Sequence, residues 1–113
     1  MTDTTPEAAR VLVRMHQLLT QARNEADRRA RQSRDLDTVA LANNLTYACA
    51  QVFHLVPAPC RGALLDRPEP DGTEPVDLAR RAEELSRTEP VHDFPPGVAS
   101  VVQLLIDTVR EFS

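Results

Sequence analysis

The chain has 113 residues, the usual size of one domain, and carries 13 basic residues against 17 acidic ones for a net charge of −4. All 13 basic residues are arginine, so there is no lysine for a Schiff base, a phosphate-loop ammonium or a general base. Gly62, Gly72 and Gly97 stand too far apart to cradle a phosphate, and Ser33, Ser86, Ser100 and Ser113 lack a G-x-S-x-G or S-x-x-K context, which sets aside nucleotide hydrolysis, dinucleotide binding and serine hydrolysis.

The first helix is predicted to start after Thr5, whose oxygen can cap free N–H groups, with Pro6 and Glu7 suited to the first turn. Ala8, Leu12, Met15, Leu19, Ala22 and Ala26 then recur at helical intervals, widened by Val11 and Leu18. Beyond Arg23 the large apolar residues give way to charge, so this end is expected to run past the core or to meet a partner. No glycine or proline interrupts residues 7–56. A break is nevertheless predicted near Ser33, Asp35 or Asp37, because the next stripe, Leu41, Leu45, Ala48, Val52 and Leu55, is shifted by one residue from the first. Leu36, Val39, Ala40, Tyr47, Cys49 and Phe53 surround much of the second helix with apolar groups, and it is expected to be the most buried helix.

Pro57, Pro59, Pro68 and Pro70 end that helix and open an irregular connection over residues 57–73, with Ala63, Leu64 and Leu65 expected to form a short turn against the core. Thr73, Glu74 and Pro75 open the third helix, with Leu78, Ala79, Ala82 and Leu85 inward and Pro90 as its limit. The tetrapeptide Thr-Glu-Pro-Val at 73–76 recurs at 88–91 and is too short to define a structural repeat. Pro95 and Pro96 precede a fourth helix with Val98, Val102, Leu105, Val109 and Phe112 on one stripe and Val101, Leu104 and Ile106 beside it. Its polar face reads as narrow: Gln103, Asp107, Thr108, Arg110 and Glu111.

The expected fold is all-α: a four-helix antiparallel bundle, or three long helices and a short one, forming a single domain over residues 1–113 with a flexible start at 1–5. Tyr47, Phe53, Phe94 and Phe112 are the only aromatic residues besides histidine, so the core is aliphatic. No apolar run reaches the ~20 residues of a membrane span, and the polar start lacks a signal-peptide pattern. A cytoplasmic location is the expectation, with Cys49 and Cys60 as thiols.

Chemistry-bearing residues do not converge in the sequence. Cys49, His54 and Cys60, with His92 beyond, lack zinc spacing, since Cys49 and His54 point about 140° apart on a helix. Neither a metal nor a cofactor is expected, and no catalytic set stands out, so the chain is read as a non-enzyme. His16 is followed by Gln17-Leu18-Leu19-Thr20, a context unsuited to phosphotransfer. Asn43 and Asn44 lie mid-helix, where an asparagine can set register or oligomeric state.

Charge is uneven: residues 1–34 hold seven arginines against four acids, and residues 35–113 hold six against thirteen, giving +3 and −7. Arg23, Arg28, Arg31 and Arg34, with Arg29, form an anion or partner patch over 23–34. Glu25 and Asp27 dilute it and no aromatic side chain interleaves to stack on bases, so nucleic acid is not an expected partner and ion pairing between helices or copies is favoured. Surplus apolar surface points to an interaction or regulatory module that self-associates as a homodimer, through Leu12, Leu19, Val98, Val102, Leu105 and Val109 or through the second helix, with a further protein as another candidate partner and no membrane contact. The alternative reading is a small-ligand pocket between the second and fourth helices with Asn44, Tyr47 and His54 as polar contacts, and a further, less favoured alternative is nucleic-acid binding through residues 23–34.

Overall fold

The computed structural model describes residues 4–62 and 68–113. Four α-helices make up the bundle: α1 (Pro6–Ser33), α2 (Leu36–Leu55), α3 (Pro75–Ser86) and α4 (Val98–Phe112). Single 3-10 turns at Ala58–Cys60 and Val91–Asp93 lie in the connections. The expected turn at Ala63, Leu64 and Leu65 lies outside the described residues.

Helix α1 starts as its sequence dictates. Thr5 holds extended backbone and its Oγ1 accepts the Ala8 N–H at 3.1 Å, with Pro6 in the first turn where its missing N–H costs nothing. All six stripe residues from Ala8 to Ala26 are fully buried. The break predicted between the first two helices is present. Arg34 turns into the left-handed region at φ 55° and its N–H closes on Ala30 O, while Ser33 Oγ accepts the N–H of Asp35. That reversal sets α2 back along α1.

Helix α1 packs against α2 and α3, and α4 closes the ring against the same two. Three contacts fix the directions. Arg29 of α1 pairs with Glu74 at the start of α3 (2.7 Å), and the Thr5 N–H donates to Asp93 O just before α4 (3.2 Å). A Cβ placed on Gly97, ahead of α4, would sit 3.5 Å from Leu55 at the end of α2. Every packed pair is therefore antiparallel, while α2 and α3 run the same way on opposite corners. The chain must cross back the length of the bundle between them, which is why the Pro-rich connection is long.

Glu69 fastens that crossover. Its carboxylate pairs with Arg14 of α1 at 2.9 Å and Arg81 of α3 at 2.7 Å, and its backbone exchanges two hydrogen bonds with the Gln21 amide. The core beneath is aliphatic, with Leu12, Met15, Leu18, Leu19, Leu45, Leu78 and Leu105 as its largest buried side chains, joined by Phe94 from the α3–α4 connection.

Two readings of the helices change. Thr108, assigned to the polar face of α4, is buried, because its hydroxyl donates to Leu104 O at 2.7 Å and needs no water. Helix α2 is not the most buried helix: Leu36, Val39, Tyr47 and Phe53 are exposed. Apolar residues encircle much of it, yet only α1 and α4 pack against it substantially, so its far side is left open.

Candidate functional site

Two features stand apart from the scaffold: the outward face of α2, and a cavity beside the end of the same helix. Both begin in one property of the sequence. From Thr38 through Cys60 there is no acidic residue and no arginine, whereas a surface helix normally carries charge on its solvent side.

At 100° per residue, Leu36, Val39, Ala40, Asn43, Tyr47, Ala50 and His54 fall within about 60° of one line along α2. All seven are exposed, Leu36 at 82% and Tyr47 at 60%, and Leu45 and Val52 on the opposite side are fully buried. With 20 residues against 15 in α4, α2 is about 8 Å the longer. The ends of this face are charged. Asp35 and Asp37 stand at the N-terminus, where carboxylates suit the helix dipole. At the C-terminus Arg61 folds back, donating from Nε to Val56 O (3.1 Å) and from Nη2 to His54 O (3.5 Å).

The cavity, about 560 Å³ in volume and open to solvent on one side, lies between the side of α1, the last turns of α2 and the crossover. Val13, Phe53, Val56 and Pro68 supply apolar wall, and Gln17, Thr20, Gln21 and Asn24 supply polar groups from α1. Its cationic side chains are Arg14, already paired with Glu69, and Arg61, whose guanidinium carbon lies 5.0 Å from the centre of the Phe53 ring. His16 faces the same ring at 5.5 Å between centroids. Burial, with a smaller push from the charge of Arg23, holds its imidazole below the ordinary value, so it is neutral at pH 7. Gln17 Oε1 is buried there without a hydrogen-bond partner among the described residues. Cys60 is half-buried in the lining, whereas Cys49 is buried and shares a hydrogen bond with Thr20 Oγ1 at 3.2 Å. Among the described residues, no group of three or more His, Cys, Asp or Glu side chains is placed to hold a metal ion.

The residues singled out from the sequence fall differently. Asn44, Tyr47 and His54 line neither this cavity nor a smaller one of about 360 Å³ beside Arg14, Leu18 and Arg81. The apolar surfaces of α2 and α4 that were expected to flank a pocket pack on each other instead. Leu12, Leu19, Val98 and Leu105, expected on a self-association face, are buried within the chain, and Val102 and Val109 pack partly against the same core. Those stripes are used up inside the bundle, which leaves α2 as the surface of that kind.

The arginine patch is largely occupied by its own neighbours. Arg28 makes two hydrogen bonds to Glu25 at 2.6 and 2.8 Å, which hold that carboxyl below the usual carboxylate range. Arg29 pairs with Glu25 and Glu74, and Arg23 bonds Asn24. Arg31 and Arg34 are exposed at the end of α1. No helix among the described residues is long and apolar enough to cross a membrane.

Sequence reasoning missed the cavity because its walls come from residues 13–24, 53–62 and 68, which only the α1–α2 hairpin and the crossover bring together. The uncharged run over 38–60 was a visible signal. The apolar groups around the second helix point to burial instead. No known protein family, characterised protein or solved structure matches this chain.

Proposed function

We propose that this chain is a non-enzymatic helical interaction protein that self-associates through the outward face of α2. The observation carrying this reading is a surface helix whose solvent side is mostly apolar and carries no acidic residue and no arginine from Thr38 onward, with Leu36 and Tyr47 largely exposed. A second copy suits it better than an unrelated partner because the face is complementary to itself. Crossed antiparallel about a twofold axis, the Asp35 and Asp37 end of one copy lies beside the partner's Arg61. Ala40 then meets the partner's Ala50, where small side chains let the helices approach, and Asn43 meets the partner's Tyr47 at the centre. An asparagine at such a position favours one register over its slipped alternatives.

Stable interfaces bury roughly 800 Å² per partner, and a strip one helix wide is at the small end of that range, so the dimer is expected in the micromolar range. Sedimentation equilibrium from about 1 µM to about 1 mM tests it. A concentration-dependent monomer–dimer transition supports the reading, and a monomer throughout ends it.

A further inference from the structure

The cavity beside Phe53 is lined by none of the seven exposed residues of that face and shares with it only Arg61, at the charged end. Its volume of about 560 Å³ lies within the roughly 300–1,000 Å³ typical of small-molecule sites. Its composition is also typical, with apolar walls and a few convergent polar groups. What distinguishes it is charge. Two arginines line it and, among the described residues, no carboxylate does.

The two arginines are not equivalent. Arg14 is engaged by Glu69, but Arg61 has no acidic partner among the described residues. Its Nε and Nη2 donate to the Val56 and His54 carbonyls and its guanidinium carbon lies 5.0 Å from the centre of the Phe53 ring, which leaves Nη1 without an acceptor among the described residues. A guanidinium fixed in this way has already lost most of its rotamer freedom, and an arriving anion gains a charge-assisted hydrogen bond without reordering it. A cationic ligand would face Arg61 with no carboxylate among the described lining residues. A small, fully hydrated anion would leave the exposed part of the Phe53 ring uncovered.

We propose that this cavity binds a small carboxylate with an apolar body, the carboxylate meeting Arg61 and the body lying against Val13, Phe53 and Val56. Neutral His16 and the Gln17 amide complete the wall without adding charge of either sign.

Cys60 makes the site directly readable, because it lines the cavity while Cys49 is buried and serves as an internal reference. The experiment follows alkylation of each thiol by N-ethylmaleimide, resolved by peptide mass spectrometry, in the presence of octanoate or of octanol. These probes share one body and differ in charge. Octanoate is expected to protect Cys60 at a concentration about tenfold below that of octanol. Arg61→Gln should abolish that difference, Arg61→Lys should retain it, and Tyr47→Ser on the α2 face should leave it unchanged. Equal protection by the two probes overturns the carboxylate assignment, and no protection by either overturns the site. The comparison of probes on the unmodified chain stands even if Arg61→Gln perturbs folding.

Discussion

Replacing Tyr47 by serine separates the outward face of α2 from the fold that carries it. Tyr47 keeps 60% of its surface exposed; with roughly 200 Å² to bury on a tyrosine, about 120 Å² is available, worth about 3 kcal/mol at ~25 cal/mol/Å². Twofold symmetry uses the position twice, which sets a ceiling of about 6 kcal/mol per dimer. Serine retains the Cβ and a hydroxyl, and area converts incompletely into affinity, so the expected loss is about 2–3 kcal/mol, a dissociation constant raised roughly 30- to 150-fold. Sedimentation equilibrium measures it. At a concentration where both proteins are monomeric, the loss of unfolding free energy in urea should stay below about 2 kcal/mol, because only about 80 Å² of Tyr47 is covered within the chain. Leu45→Ala is the converse: it lies half a turn away on the same helix, is fully buried, and should cost about 2–5 kcal/mol of stability. A Tyr47→Ser dimer as tight as the unmodified one would refute the assignment of the face.

Three further outcomes test the scaffold. Thr5→Ala removes the side-chain cap on the Ala8 N–H and should lower the unfolding free energy by about 1 kcal/mol in urea titrations. Arg34→Gly relieves a non-glycine residue at φ 55° and should raise it by about 0.5–1 kcal/mol in the same assay, with unchanged helical circular dichroism. His16 titrates lower in the folded chain than in the unfolded one, so below about pH 6.5 the unfolded state binds the proton more tightly. Stability should be full above that pH and fall as the pH drops through it towards the folded-state value. His16→Gln should flatten this part of the urea-midpoint profile, and superimposable profiles would refute the buried imidazole as its cause.

Much of the secondary structure was legible because its causes are local. The stripe from Ala8 to Ala26 and the Thr5-Pro6-Glu7 start depend on neighbours within a few residues, and so does the reversal at residues 33–35, betrayed by a one-residue shift in apolar phase. Thr108 shows the limit of that reading. Its hydroxyl looks polar in a list of side chains but is satisfied by the carbonyl four residues earlier, so the position can enter the core.

What the sequence determined by itself was an all-α chain of four helices with an aliphatic core and a long Pro-rich connection, since periodicity, capping and helix termination act over a turn or two. Which apolar residues would remain outside was decided only by the tertiary structure. A helix with apolar groups around much of its circumference does not specify its inward direction, and the number of neighbours packed on it settles how much is covered. For α2 two helices pack on it substantially, one of them shorter than α2 itself, so Leu36, Val39 and Tyr47 stay in solvent. The cavity arises in the same way, from side chains far apart in the sequence that the α1–α2 hairpin and a crossover held by Glu69 bring to one place.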